Sequence, residues 1–445
     1  MFKLRQDNRL TMKTPPNTYN TVSQSAYSAQ YEGNGQLSVR LLLLALVTIV
    51  LLSSTFLYSR LSSRVSTNSN FQHMAGPGGP WGPGGPGGGP RGPWGPGGPG
   101  GGPGGPGGGP GGPGGGPGGP GASSSPIAGY LTPQDLWKQY NLPGANGGAG
   151  QLVAVVIDGG LPTIESDLAA YSTKFGLPQC TVASGCLTIK YQGGQTISPG
   201  ADQAEGTLDI ETIHAVAPKA KLLLYNVQKS SNGLATGPSE IIKTPGLKAI
   251  NMSYGFDSST ASQFESLYAN NPNHVALIAA SGDNGHAVPG SFPSSYPGVI
   301  AVGGTVLNNG VETAWNGSGG GSTTYAEPAG QKAYGVPQAN GKRAVPDVAA
   351  VSGTHMSIFY QGRWNGMVGT SVAAPIWTGI AALVNKQLTP DLIYSVAKQH
   401  PDAFRDITSG SNGSCGFQCT AQAGYDYITG LGTPKNFVND VNAMP

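Results

Sequence analysis

A tract of glycine and proline at residues 76–121 constrains the fold of this chain more than any other feature. Only Trp81, Arg91 and Trp94 interrupt it, and a segment this poor in apolar side chains cannot bury a core. Its glycines keep no strict period of three, which argues against a collagen triple helix. We therefore assign residues 61–124 to a disordered, flexible or partly extended linker.

The sequence before this linker predicts a membrane anchor. Residues 41–58 form an uncharged apolar run, and about 18 such residues are just enough to span a bilayer. A polar, disordered tail at 1–38 precedes the anchor at 39–60. Five Lys/Arg precede the apolar run and two follow it closely, which favours a cytoplasmic N-terminus. We expect a single-pass membrane protein whose large domain is extracellular or lumenal.

The sequence after the linker, residues 125–445, is long enough for one large domain with a substantial core. From residue 122 onwards the chain carries 16 Lys/Arg and 20 Asp/Glu, a net charge of −4. A mildly acidic domain without a basic stripe argues against nucleic acid as a partner.

The four cysteines predict an oxidising compartment. They form two close pairs, Cys180 with Cys186 and Cys415 with Cys419, and neither pair resembles a zinc cluster. A disulfide within each pair is favoured over four free buried thiols. This agrees with a domain that lies outside the cytoplasm.

Short apolar strands alternate with helical segments after Tyr130. The expected strands are residues 152–157, 220–225, 249–253, 275–279 and 299–302. Such alternation predicts an α/β fold in which a parallel sheet is covered by helices on both faces. Loops at the carboxyl ends of such strands usually carry the functional site.

A serine at the start of a predicted helix is the strongest functional signal. Gly369, Thr370 and Ser371 form a tight turn, and the small residues and Pro375 that follow predict the first turn of a helix. A helix N-terminus presents backbone N–H groups and stabilises negative charge. Because a serine is inert near neutral pH without a base and an oxyanion site, other segments must supply both.

Two further segments carry carboxyl groups. Glu205 and Asp209 lie four residues apart in a predicted helix and share one face, a spacing that is more typical of a solvated surface. Asp283 follows a predicted buried strand in a Gly-rich turn, where aspartates commonly form turns or cap helices. Neither segment predicts catalysis by itself.

Taken together, these segments resemble the sedolisin family of serine-carboxyl peptidases. The matching pieces keep the family's order across nearly all of residues 130–435. They are residues 205–218, 281–283, 292–297 with 301–305, 345–349 and 369–371. The resemblance implies a subtilisin-like fold and a serine-type peptidase that acts on peptide or protein substrates. We expect its catalytic domain to be monomeric.

The resemblance also implies the catalytic roles. Ser371 is the nucleophile, Glu205 replaces the usual histidine, Asp209 orients Glu205, and Asp283 replaces the oxyanion-hole asparagine of ordinary subtilisins. Glu205 must be ionised to accept the Ser371 proton, whereas Asp283 must be protonated to donate to the oxyanion. Since carboxyl reference pKa values lie near 4, both conditions hold together at roughly pH 3–5. The expected function is that of an acid-active endo- or exopeptidase.

A calcium site is implied near the C-terminus. Two carboxylates with interleaved backbone carbonyls suit a hard cation, although two turn-forming aspartates in a Gly-rich loop would give the same spacing. By resemblance the ligands of one Ca²⁺ ion are Asp406, Asp426 and the carbonyls of Ile407, Gln422 and Gly424. The family often has glycine where Gln422 stands, and a carbonyl ligand tolerates this change if the backbone angles do.

Two alternatives stay open. Asp158 ends a predicted strand as the aspartate of ordinary subtilisins does, so a Ser-His-Asp triad would join it to a histidine and Ser371. The His-Gly-Thr-His segment of that class is missing, and His214 lies on the same helix as Glu205. The second alternative is a catalytically silent, membrane-tethered binding module, since fold does not fix function. An anchor and linker stand where secreted family members carry a folded prosegment, which favours this alternative slightly. The intact Glu205, Asp209, Asp283 and Ser371 weigh against it more.

Overall fold

The structure, a computed structural model, describes residues 72–73, 125–200, 202–286 and 290–445. The predicted tail and anchor, and all of the predicted linker except residues 72–73, lie outside these residues. No helix within the described part is long and apolar enough to cross a membrane.

The described part of the chain contains nine α-helices. They are α1 (Pro133–Tyr140), α2 (Ile164–Phe175), α3 (Gln203–Val216), α4 (Ser231–Ile241), α5 (Glu265–Ala269), α6 (Ala329–Tyr334), α7 (Thr370–Leu383), α8 (Pro390–Gln399) and α9 (Phe437–Ala443). A capping box begins α1, because Thr132 accepts the backbone N–H of Asp135 and the Asp135 carboxylate accepts that of Thr132.

Seventeen strands are present in the same residues. They are β1 (Gln72–His73), β2 (Leu152–Asp158), β3 (Leu187–Tyr191), β4 (Lys221–Val227), β5 (Leu247–Met252), β6 (Tyr254–Asp257), β7 (Ala276–Ala280), β8 (Ser291–Phe292), β9 (Val299–Asn308), β10 (Val311–Ala314), β11 (Gly321–Ala326), β12 (Lys342–Val345), β13 (Val348–Val351), β14 (Met356–Tyr360), β15 (Arg363–Met367), β16 (Phe404–Arg405) and β17 (Thr433–Pro434).

An eight-stranded sheet forms the centre of the domain. Its order is β10–β9–β7–β5–β2–β4–β3, and β13 pairs with β9. All of these pairs are parallel except that of β10 with β9. The five strands predicted from the sequence are β2, β4, β5, β7 and β9, so the parallel α/β arrangement is confirmed.

Successive side chains of β2 enter two separate cores, because neighbouring residues of a strand point to opposite faces of the sheet. Val155 and Ile157 pack in the core that contains α3 and α7. Ala154 and Val156 pack on the other face, in the core that contains α4. Helices therefore cover both faces of the sheet, and the strands between them are buried.

Helix α7 runs through the centre of the first core. Its residues 370–382 are all buried, as expected for a helix that is apolar all round. Gly369 precedes it with φ of 139°, a conformation that glycine adopts without strain. Pro375 is the sixth residue of α7, so the prediction that it belongs to the first turn was wrong. Lacking an N–H, Pro375 cannot bond the carbonyl of Ser371 one turn earlier.

Both predicted disulfides are confirmed. Cys180 bonds Cys186, and Cys415 bonds Cys419. The described residues contain no free cysteine, so the alternative of four free thiols was wrong.

Candidate active site

The carboxyl ends of three parallel strands meet at one edge of the central sheet. Strand β2 ends at Asp158, β5 is followed by Ser253, and β7 leads into Asp283. Helices α3 and α7 pack against each other beside this edge. The four residues that the sequence analysis assigned to catalysis all lie on these elements.

Glu205 and Asp209 are buried in the first turns of α3, with 1% and 0% of their surface exposed. The Ser253 hydroxyl donates to Asp209 Oδ1 at 2.6 Å. Burial raises the pKa of Glu205 well above its usual range, and the charges of Asp209 and Asp283 raise it further. The pair that looked like a solvated helix face is therefore a buried carboxyl pair.

Ser371 faces Glu205 from the first turn of α7. Its hydroxyl is close enough to lower the pKa of Glu205. Within the described residues, neither Ser371 Oγ nor the two Glu205 oxygens complete a hydrogen bond of ordinary geometry. Buried polar atoms rarely lack a hydrogen-bond partner. Catalytic hydrogen bonds, however, are often long in an enzyme without substrate. The three atoms therefore form an incompletely paired polar cluster between α3 and α7.

Asp283 is held at the N-terminus of α7 by the residue that precedes Ser371. The backbone N–H and the hydroxyl of Thr370 donate to Asp283 Oδ1 at 2.7 Å and 2.8 Å. Burial raises the pKa of Asp283 to about 7, and the two hydrogen bonds from Thr370 partly oppose this rise. Asp283 is thus a carboxyl group that stays neutral in acid.

His214 points away from this cluster. It lies nine residues after Glu205 on α3, which at 3.6 residues per turn places it on the opposite face of the helix. Its Nε2 is 3.1 Å from Ser172 Oγ and 3.0 Å from the Pro178 carbonyl. Burial lowers the pKa of His214 to about 4. The structure does not bring this histidine to Ser371.

The predicted calcium ligands lie in a loop that folds back on itself. The Gly424 N–H donates to Asp406 Oδ2 at 2.9 Å. Asp426 is fully buried, and its Oδ1 accepts the N–H groups of Ile428 and Thr429 at 2.8 Å and 2.9 Å. These bonds also fit a plain turn.

The same loop fits a hard cation in two respects. Burial raises the pKa of Asp426 to about 6, and a bound cation would offset the cost of ionising it. Gly424 has φ of 80°, whereas Gln422 is not among the residues with positive φ. The substitution of glycine by Gln422 therefore causes no backbone strain at that position.

Two site residues escaped the sequence analysis. Ser253 was assigned to a strand and given no role, although it is a polar residue at the carboxyl end of a buried parallel strand. The sequence analysis places Thr370 in the serine turn and gives it no further role. The position of Ser253 could have indicated its role, whereas the contact of Thr370 with Asp283 spans 87 residues of sequence and leaves no local pattern.

Comparison with known proteins gives consistent matches. Residues 193–404 match the sequence profile of the Subtilase family. Kumamolisin of Bacillus sp. (strain MN-32) is 30% identical over 354 residues, which cover 70% of this chain and 63% of kumamolisin. Sedolisin of Pseudomonas sp. (strain 101) is 29% identical over 351 residues, which cover 66% of this chain and 58% of sedolisin.

A solved structure supports the same relationship. Pseudomonas sedolisin, a serine-carboxyl proteinase complexed with two molecules of pseudo-iodotyrostatin, aligns with a TM-score of 0.61 and 26% identity. The alignment covers 71% of this chain and 96% of that chain. The fold is therefore subtilisin-like, while the chain spans less than two thirds of the length of curated kumamolisin and sedolisin.

Proposed function

We propose that the chain, which is similar to kumamolisin and sedolisin and matches the Subtilase profile, is a serine-type peptidase that hydrolyses peptide bonds in acid. Ser371 is the nucleophile, Glu205 the general base, Asp209 the residue that orients Glu205, and Asp283 the oxyanion donor. One observation carries the proposal. A buried serine at a helix N-terminus faces the buried carboxyl group of Glu205, and Asp209, which the Ser253 hydroxyl holds, raises the pKa of Glu205.

The distribution of charge supports these roles. The charge of Asp283 raises the pKa of Glu205, so Glu205 ionises more readily while Asp283 keeps its proton. The Ser371 hydroxyl favours the ionised form of Glu205. Because the carboxyl groups interact, they titrate as a set. The reactive state has Glu205 charged and Asp283 neutral.

Burial of Asp283 and Glu205 raises the pH range in which we expect activity. Asp283, with its pKa raised to about 7, remains protonated in acid and loses its proton as the pH rises through that value. Glu205 also has a raised pKa, so it becomes charged at a higher pH than an exposed glutamate does. We expect the alkaline limit of activity near pH 7, above the window of pH 3–5 that reference values give.

The proposed reaction follows from these positions. Glu205 accepts the Ser371 proton while Oγ bonds to the scissile carbonyl carbon, and the carbonyl oxygen becomes an oxyanion. Asp283 and the N–H groups at the start of α7 stabilise that oxyanion. Glu205 then returns the proton to the leaving amine. Water hydrolyses the resulting ester in a second round with the same groups.

Strand β6 lies beside the cluster, between β1 and β8, and the edge that β1 occupies suits a peptide substrate. Strand β6 begins at Tyr254, next to the Ser253 that contacts Asp209. Its edge pairs antiparallel with Gln72–His73 of the same chain, so an extended backbone fits there. A substrate that took the place of Gln72–His73 on this edge would gain main-chain hydrogen bonds that do not depend on its sequence.

Peptide hydrolysis by the purified full-length chain tests the proposal. We expect turnover at pH 4–6, a loss of at least about 10³-fold in S371A, and a comparable loss in E205Q. In D283N the amide can still donate but cannot ionise, so its activity should persist above pH 7. Full activity at pH 8 with none at pH 4 would contradict the mechanism.

H214A separates the alternatives. A Ser-His-Asp enzyme would lose nearly all turnover, whereas we expect turnover within about threefold of the unsubstituted chain, because His214 contacts Ser172 and Pro178 instead of Ser371. A silent binding module would show no hydrolysis that S371A abolishes.

We also propose that the loop of Asp406 and Asp426 binds one calcium ion. The two carboxylates and the carbonyls of Ile407, Gln422 and Gly424 would hold it, and its role would be to stabilise the loop. Residues 41–58 are proposed to anchor the chain in a membrane with the peptidase domain on the outer or lumenal side. The two disulfides agree with that compartment.

A further inference from the structure

Thr370 connects the proposed nucleophile to the proposed oxyanion donor. It is fully buried and immediately precedes Ser371. Its N–H and its hydroxyl both reach Asp283 Oδ1, at 2.7 Å and 2.8 Å. The Gly282 N–H in turn donates to Thr370 Oγ1 at 3.1 Å. We propose, resting on the peptidase function above, that Thr370 is a positioning residue that keeps the acidic proton of Asp283 on Oδ2.

The direction of the hydrogen bonds leads to this assignment. A hydroxyl group has one hydrogen and two lone pairs. The Gly282 N–H uses a lone pair of Thr370 Oγ1, and the hydroxyl hydrogen is directed to Asp283 Oδ1. Oδ1 then accepts two hydrogen bonds, which suits the carbonyl oxygen of a neutral carboxyl group. The proton of that group is consequently on Oδ2, where it can be donated to an oxyanion.

The arrangement gives Thr370 an effect on rate as well as on acidity. Without the hydroxyl, Oδ1 keeps only one donor and becomes a better site for the proton. The oxyanion donor is then present in a smaller fraction of the molecules, which slows the chemical step while ground-state binding is preserved. The carboxyl groups facing this region, Glu205 with Asp209 and Asp202 from the start of α3, are the same in all the variants compared.

Two substitutions with opposite expectations test the proposal. T370V has nearly the shape of threonine and lacks the hydroxyl, whereas T370S keeps it. We expect kcat of T370V to fall roughly 10- to 100-fold with KM changed less than about threefold, and T370S to recover most of the loss. The alkaline limb of kcat should move to higher pH in T370V, because the lost hydrogen bond is one that lowers the pKa of Asp283.

The role of Thr370 can also be tested without measuring hydrolysis, so that its test does not depend on the proposed peptidase function. In the S371A background, ¹³C NMR titration of the Asp283 carboxyl should show a higher pKa in T370V than in T370S. Thermal unfolding shows which variants fold. If T370V does not fold, T370A replaces it as the variant without a hydroxyl group. Equal losses in the valine and serine variants, or an Asp283 pKa that T370V leaves unchanged, would overturn the role of Thr370. Absence of hydrolysis by the unsubstituted chain would refute the peptidase function, and the NMR titration would still decide the role of Thr370.

Discussion

At the scale of single residues, burial dominates the acidity of the groups around Ser371. For Glu205, Asp283 and His214, desolvation is the largest cause of the pKa shift. Burial disfavours the charged form, so it raises the pKa of an acid and lowers that of a histidine. The two acids consequently keep their protons longer as the pH rises, while His214 stays neutral until strongly acid conditions.

His214 should weaken the fold in acid. Its pKa is about 4 in the folded state and 6.5 in the unfolded state, so between these values the unfolded chain binds the extra proton. The contribution of His214 to the free energy of unfolding is complete above pH 6.5 and is lost as the pH falls towards 4. The total loss is about 3 kcal/mol.

Urea unfolding of H214Q measures this contribution. Between pH 7 and pH 4, the free energy of unfolding should fall by about 3 kcal/mol less in H214Q than in the unsubstituted chain. Parallel curves for the two proteins would show that His214 does not carry the effect.

At the scale of elements, the site depends on two helices that share one core. Helix α3 carries the carboxyl pair on the face that meets α7, and it places His214 against α2 on the other side. Helix α7 presents Ser371 in its first turn, next to the Thr370 that binds Asp283. A rotation of α3 by half a turn would exchange the carboxyl pair for the histidine, so helical phase determines which of these side chains faces α7.

The loop between α8 and α9 contains the element that calcium should stabilise. Chelation of calcium should lower the melting temperature of the full-length chain by several degrees, since a domain of this size loses roughly 2–4 °C per kcal/mol. D406N should abolish this response, because it weakens a ligand while its amide oxygen can still accept the Gly424 N–H. D402N changes an exposed carboxylate of the same segment that pairs with Lys435, and it should respond to chelation as the unsubstituted chain does. A melting temperature unaffected by chelation would leave Asp406 and Asp426 as turn residues.

At the scale of the whole molecule, buried carboxyl groups should make the fold more stable in acid than near neutrality. Asp283, Glu205 and Glu211 all have raised pKa values in the folded state. The folded chain therefore holds protons that the unfolded chain releases, and stability is lost as the pH rises from about 4 through the folded pKa values. This trend opposes that of His214, so the two together predict a maximum in moderately acid solution.

D283N measures one part of this trend. The pKa of Asp283 rises from 3.8 to about 7 on folding, which corresponds to about 4 kcal/mol lost between pH 4 and pH 7.5. Unfolding by urea at both values should show a decline that is smaller by this amount in D283N. A decline of equal size in both proteins would contradict the assignment.

Local sequence determined much of this protein. The continuous apolar runs specified buried parallel strands, and close cysteine spacing specified two disulfides. These features depend on contacts between near neighbours, which is why they could be predicted. The membrane anchor, which lies outside the described residues, and the calcium ion stay predictions.

Only the tertiary structure decided how the distant segments meet. The sequence supplied Glu205, Asp283 and Ser371 as separate candidates, and a family resemblance was needed to assign them to one site. The burial that raises their pKa values comes from α3, α7 and the sheet together, and the donors to Asp283 come from a segment far along the chain. Desolvation is a property of the packed interior and no short stretch of sequence contains it, so reference pKa values alone do not give the acidity of these groups.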